Sequence, residues 1–169
     1  DHFKEINDNF GQEYGDFVLK KSAECISGCI SEGQKVYKLV ADEFLILDVS
    51  SDEAKDADKL YDKVREAIDR FIETNEFKVM YTVSGGIVPF AALKGNQCSE
   101  ALKLTDFALN EAKKLGRNRC YIFNGETYRK FLRKREITQE LREAVINGFQ
   151  GFTAFYQPVF AEDKKVPYG

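Results

Sequence analysis

Apolar positions along the chain recur at helical steps in some stretches and crowd into short β-rich runs in others, marking a mixed succession of helices and strands. Phe17, Leu19, Ala23, Ile26 and Ile30 predict a helix over Gly15–Ile30, with Gly11 and Gly15 punctuating the loop before it. Lys35–Leu39 and Phe44–Val49 are rich in Val, Ile, Leu and Phe, and the few residues between them leave room only for a tight hairpin. Ser51, followed by Asp52 and Glu53, starts the plainest helix, in which Leu60, Val64, Ala67, Ile68, Phe71 and Ile72 recur at three- and four-residue steps. Phe77–Val83 reads as a strand ending at Ser84-Gly85-Gly86, and Ile87–Phe90 continues extended into a loop around Gly95-Asn96. A helix over about Ser99–Leu115 stops at Gly116, and Arg119–Phe123 begins another strand. Thr127–Asn147 is helical and strongly charged, and Phe152–Phe160 reads as a strand with Pro158 near its end. This order predicts an α+β fold, a ferredoxin-like palm with an antiparallel central sheet flanked by helices, plus a C-terminal helix and strand.

Composition narrows the class. At 169 residues, 43% hydrophobic and 13% aromatic, the chain can build a buried core. Its net charge of -3 gives no basic field, so nucleic acid is not an expected partner. No apolar run reaches the about 18 residues of a membrane span and the first residues are charged, so this segment is expected to be soluble, without membrane contact or signal peptide. Cys25, Cys29, Cys98 and Cys120 carry no metal-binding spacing with histidines. Cys25 and Cys29 read as small apolar residues on one buried helix face, and free cysteines suggest a reducing cytoplasm.

Asp42 and Glu43 lie side by side at the tip of the predicted hairpin. Magnesium takes oxygen ligands and commonly bridges phosphates with one or two carboxylates, and a carboxylate pair at a hairpin tip could serve that chemistry. An isolated Asp-Glu pair on a turn is more often just a solvated turn, so the neighbouring motifs decide its reading. Phe3-Lys4-Glu5-Ile6-Asn7-Asp8, Gly11 and Gly15-Asp16 precede it, and Val36-Tyr37-Lys38-Leu39-Val40-Ala41-Asp42-Glu43-Phe44 contains it. Val83-Ser84-Gly85-Gly86 and Thr105-Asp106-Phe107-Ala108-Leu109-Asn110-Glu111-Ala112-Lys113-Lys114-Leu115-Gly116-Arg117-Asn118 follow. Over residues 1 to about 124 these motifs resemble a GGDEF domain, the diguanylate cyclase module of bacterial cyclic di-GMP signalling, with a nucleotide-cyclase palm. Gln12 stands where the family usually has His, and Thr105 and Asn110 are further departures.

The resemblance implies that Asn7 and Asp16 hydrogen-bond the guanine edge of GTP and that Lys4, Lys113 and Arg117 complete the nucleotide site, the last two on the phosphates. Asp42 matches a magnesium ligand, and Glu43 the acid that supports attack of the ribose 3'-hydroxyl on the α-phosphate. The signature loop is Val40-Ala41-Asp42-Glu43-Phe44, without the two glycines of the family. Val40 is β-branched and ill suited to positive φ, and both side chains project into space a nucleotide would use. A changed loop and weak or absent cyclase activity are expected, with GTP and magnesium binding still open. The family reads Asp-x-Asp-x-Phe-Lys at its start and Asp1 matches the second Asp, so the other metal-binding Asp, the first helix and most of the first strand are expected upstream, beyond a fragment boundary. The strand Phe152–Phe160, or one from a second copy, is a candidate to fill that sheet position. The family's product-inhibition pair, Arg-x-x-Asp, falls on Ser31 and Gln34 and is expected to be absent.

Ile137-Thr138-Gln139-Glu140-Leu141-Arg142-Glu143-Ala144-Val145 and Phe155-Tyr156-Gln157-Pro158-Val159 look like the start of an EAL phosphodiesterase domain, with Gln157 at a substrate-lining position. The expected organisation is therefore a degenerate GGDEF domain over 1–124, a connector helix over 125–148 and the start of an EAL domain over 149–169. The expected function is a regulatory module for its own EAL domain; the rivals are an active cyclase working as a homodimer and a ligand-free interaction platform. Any membrane anchoring of a full-length protein would fall to segments outside this one.

Overall fold

The computed structural model describes residues 1–51, 53–74, 81–93 and 98–159. Two compact units divide the chain, Asp1–Gly125 and Glu126–Gly169. In the first, α1 (Phe3–Phe10) and α2 (Gln12–Cys29) are separated by Gly11 alone, at φ 84. That left-handed residue breaks one helix and starts the next, so the segment expected as a loop is helical and α2 begins before Gly15. Gly15 lies inside α2, where an added Cβ would sit 1.8 Å from Asn7 Oδ1 of α1. It is the close approach of the two helices, and not a turn, that requires glycine there.

Helix α3 (Ala54–Thr74) buries Leu60, Val64, Ile68 and Ile72, one residue per helical turn. They form one core with Ile6, Val18, Ile26 and Tyr81, against which Val36, Phe44, Ile46 and Val83 pack. Burial of each large aliphatic side chain stabilises by about 1.5–3 kcal/mol, so this stripe dominates the energetics of the unit. Among the described residues, the buried polar Ser22 is satisfied: its Oγ donates to Val18 O at 2.9 Å and meets Tyr81 Oη at 2.9 Å.

Strands β1 (Gln34–Lys38) and β2 (Phe44–Asp48) form the expected antiparallel hairpin, with Gln34 opposite Asp48 and Lys38 opposite Phe44. A second pair, β3 (Gly85–Ile87) and β4 (Cys120–Ile122), is parallel, because the chain between them crosses over through α4 (Cys98–Lys114). The ladder falls on Gly85–Ile87 and not on Tyr81–Val83; residues 77–80 of the expected strand and the loop around Gly95-Asn96 lie outside the described residues. Phe90–Ala92 is a turn of 3-10 helix where extended chain was expected. Gly86 explains the position of β3: a Cβ there would stand 2.4 Å from the backbone nitrogen of Leu109, so the strand lies directly on α4.

In the second unit, α5 (Gly125–Ile146) carries solvated ion pairs, Lys130 with Glu126 at 2.8 Å and Arg133 with Glu136 at 3.2 Å. Of the strand expected over Phe152–Phe160, the described residues 152–159 form no strand, and Phe160 lies outside the described residues. Residues 152–159 have no regular structure, and Phe155 and Tyr156 are 91% and 93% exposed. Apolar, β-prone composition without a ladder partner leaves the backbone groups to water, so this segment occupies no position in either sheet.

Candidate functional site

The tip of the β1–β2 hairpin closes through Leu39 N–H donating to Glu43 O at 3.0 Å and Glu43 N–H donating to Val40 O at 3.1 Å. Ala41 takes the left-handed conformation, φ 53, which its short side chain tolerates at a cost of about 1–2 kcal/mol. Val40 has no positive φ, so the expected backbone misfit at Val40 is corrected: the turn needs one left-handed residue and places it at the smaller side chain. Val40 instead projects outward, 81% exposed. Asp42 is exposed beside it and Glu43 is half-buried. The Lys38 ammonium donates to the carbonyls of Leu39, at 3.3 Å, and of Ala41, and lies 5.1 Å from the centre of the Phe44 ring.

Asp1 joins this region from the other side. Its nitrogen donates to Thr82 O at 2.9 Å, while Oδ2 accepts from Thr82 Oγ1 at 3.0 Å and Ser84 Oγ at 2.7 Å. Burial lowers the pKa of the Asp1 amino group; Asp42 opposes this, and Lys113 and Arg117 add to it. Asp42, Lys113 and Arg117 are thus each within electrostatic reach of Asp1. Lys113 and Arg117 are set there by the end of α4, where Gly116 N–H donates to Lys113 O and Arg117 N–H to Ala112 O, with Gly116, Arg117 and Asn118 all left-handed.

Asn7 Oδ1 is buried between α1 and α2 without a partner. Asp16 is exposed on the first turns of α2 and Lys4 is exposed on α1. Among the described residues, none of these three hydrogen-bonds or ion-pairs with Asp42, Lys113 or Arg117. Gln157 is exposed in the second unit. Thr82 lies outside the motifs, and Lys38 and Gly86 lie within them without a role being read for either; the register that sets Lys38 against Phe44 could have drawn attention to Lys38.

Among the described residues no three His, Cys, Asp or Glu side chains converge as a ready metal site. Asp1 Oδ1 is nevertheless buried with no donor, beside the charge of Asp42. An unpaired buried carboxylate oxygen is costly unless a donor or cation meets it, so these residues fit a hard cation shared with phosphate oxygens.

At the opposite end of the hairpin a cavity of about 340 Å³ is lined by Ser31, Gln34, Asp48, Asp56 and Lys59 among others. Its carboxylates are held internally. Gln34 Nε2 donates to Asp48 at 2.7 Å, Ser50 Oγ to Asp48 at 2.6 Å, and Ser51 Oγ and Lys59 to Asp56 at 2.7 and 2.8 Å. Burial works to raise the Asp48 pKa, but its donors Ser50 and Gln34 outweigh it and hold the group below the ordinary value.

The family model for the diguanylate cyclase GGDEF domain matches residues 1–119. The chain belongs to the GGDEF family. It is 30% identical over 162 residues to the cyclic di-GMP phosphodiesterase NbdA of Pseudomonas aeruginosa PAO1, a match covering 95% of this chain and 20% of NbdA. It also spans well under half the length of other curated relatives it matches. Two solved GGDEF structures share the fold. The GGDEF-only form of TpbB (YfiN) from P. aeruginosa superposes with a TM-score of 0.67 at 25% identity, covering 78% of this chain and 77% of that one. The active GGEEF domain of a Vibrio cholerae diguanylate cyclase gives 0.61 at 30% identity, covering 73% and 78%. The α+β palm of the nucleotide-cyclase type is therefore the fold of this GGDEF domain.

Proposed function

We propose that this GGDEF domain is a degenerate one that binds GTP with magnesium, condenses it poorly or not at all, and biases an EAL phosphodiesterase to which it is joined. The observation that carries the reading is the hairpin tip, where Val40 is 81% exposed next in sequence to the left-handed Ala41 and the exposed Asp42. Asn7 Oδ1 is an acceptor without a donor, as suits a group that meets guanine N–H donors, and Asp16 adds a second acceptor to reject adenine. Lys4, Lys113 and Arg117 neutralise the phosphates. Asp42 would hold magnesium, which when bound spreads the phosphate charge, and Glu43 would receive the 3'-hydroxyl proton. Val40 occupies volume the glycine loop leaves free, so the ribose and α-phosphate are held out of line with the attacking hydroxyl.

Support for the EAL partner is the match to NbdA, which runs over 95% of the chain and so takes in the tail with Gln157. The domain limits that follow from this reading are 1–124 for the GGDEF domain, 125–148 for the connector and 149–169 for the start of the EAL domain. Coupling between the two requires that GTP bind one conformational state better than another. A second reading, an active cyclase acting as a homodimer on two GTP molecules, draws on Ala41, which already holds a left-handed tip.

Calorimetric titration of the full-length protein with GTP and magnesium, alongside a chromatographic assay for cyclic di-GMP, separates these. Saturable binding without product is expected. Steady product formation favours the cyclase, and absence of saturable binding leaves only an interaction platform.

A further inference from the structure

We infer that Lys38 is a positioning residue that holds Ala41 in the left-handed turn and thereby fixes the direction in which Asp42 and Glu43 leave the hairpin. The inference stands on the hairpin itself and is independent of whether GTP binds. A left-handed L-residue is disfavoured about five- to thirtyfold relative to its right-handed form. Glycine escapes this penalty, and Ala41 does not. A charge-assisted hydrogen bond is worth about tenfold in the same currency, so one ammonium is enough to tip the balance.

Lys38 is placed for that role by register. It ends β1 directly opposite Phe44, the first residue of β2, and its ammonium lies over the Phe44 ring, 5.1 Å from the centre. From there the ammonium reaches the carbonyls of Leu39 and Ala41, which flank Val40 on the tip. Releasing the Ala41 carbonyl would free the peptide that joins Ala41 to Asp42, and the carboxylate of Asp42 would lose its fixed bearing. A cation at position 38 thus supplies from a side chain part of what glycine supplies from the backbone.

The test compares Lys38→Met, which keeps an unbranched side chain but removes the donor, with Lys38→Arg, which keeps a donor, in the chain of residues 1–169 labelled with ¹³C-alanine. The parent and Lys38→Arg are expected to give the Ala41 ¹³Cα and ¹³Cβ shifts of a left-handed residue, and Lys38→Met to move them toward averaged values. In urea unfolding, Lys38→Met should lower the folding equilibrium constant about threefold in the parent and by less than about 1.5-fold in an Ala41→Gly background. Unchanged Ala41 shifts in Lys38→Met, failure of Lys38→Arg to keep them, or equal losses in the two backgrounds would each overturn the inference.

Discussion

Val40 and Ala41 replace two residues usually treated as one glycine pair, yet they pose different problems. Ala41 bears the conformational strain, and Val40 bears the bulk. Ala41→Gly should therefore stabilise the chain by about 0.5–1 kcal/mol, since relief of left-handed strain exceeds the added entropy of glycine in the unfolded state. Equilibrium urea unfolding measures this. Val40→Gly should leave stability nearly unchanged, because the side chain is solvated, but should raise GTP affinity or uncover cyclase product if bulk is what excludes the productive pose. A stabilisation by Val40→Gly equal to that of Ala41→Gly would put the strain at the wrong residue. The carboxylates Asp42 and Glu43 were legible from their motif; which of the two preceding residues turns left-handed was not, because that depends on hairpin closure between Leu39, Val40 and Glu43.

Helix α4 and strand β3 show how secondary structure is set by contact as much as by propensity. Gly85-Gly86 is a poor strand sequence, and the β-rich run Phe77–Val83 before it drew the expectation of the ladder, but the parallel pairing with β4 falls on the glycines because they let the strand meet the α4 backbone. Gly86→Ala should cost about 2–4 kcal/mol, since the new Cβ meets the backbone at Ala108 and Leu109 and no side chain can yield. Because Lys113 lies in the last turn of α4 and Arg117 just beyond it, any folded fraction of the variant should, on the proposed reading, also bind GTP more weakly. Thermal unfolding and GTP titration read the two effects, and a variant with parental melting temperature would show that the strand can move off the helix without cost. The same physics hid α1: Gly11 and Gly15 look like loop punctuation, whereas one ends a helix and the other admits Asn7 against α2. The amphipathic period of α3 was legible throughout, because four buried aliphatics one turn apart need no partner to be recognised. Phe152–Phe160 had strand composition but no strand to pair with, which composition alone does not reveal.

The pH range over which the whole chain stays folded follows from groups that no motif identifies. Burial pushes Tyr61 and Cys120 both up to about 12, from ordinary values of 10.0 and 9.0, and the two side chains flank Gly85 where α3, β3 and β4 meet. Tyr61 also donates its phenolic proton to Val83 O at 2.8 Å. The folded state holds both protons more tightly than the unfolded chain, so their contribution is complete below about pH 9 and is lost as pH rises toward about 12. On the acid side the lowered Asp48 contributes above the ordinary carboxylate range, and its share disappears as pH falls through its depressed value. Melting temperature followed by circular dichroism should therefore be level near neutrality and fall from pH 9 upward. Cys120→Ala should make that fall shallower without abolishing it, because burial also raises Cys25, Cys29, Tyr61 and Tyr81, even if the variant is less stable at every pH. Thiol labelling at pH 8 gives an independent reading: exposed Cys98 should react promptly and Cys120 only at the rate of unfolding. A melting temperature that stays constant to pH 11, or a Cys120 that labels as fast as Cys98, would mean that the α3–β3–β4 junction is open to water, and the placement of Thr82 and Ser84 around Asp1 that depends on the same junction would have to be abandoned with it.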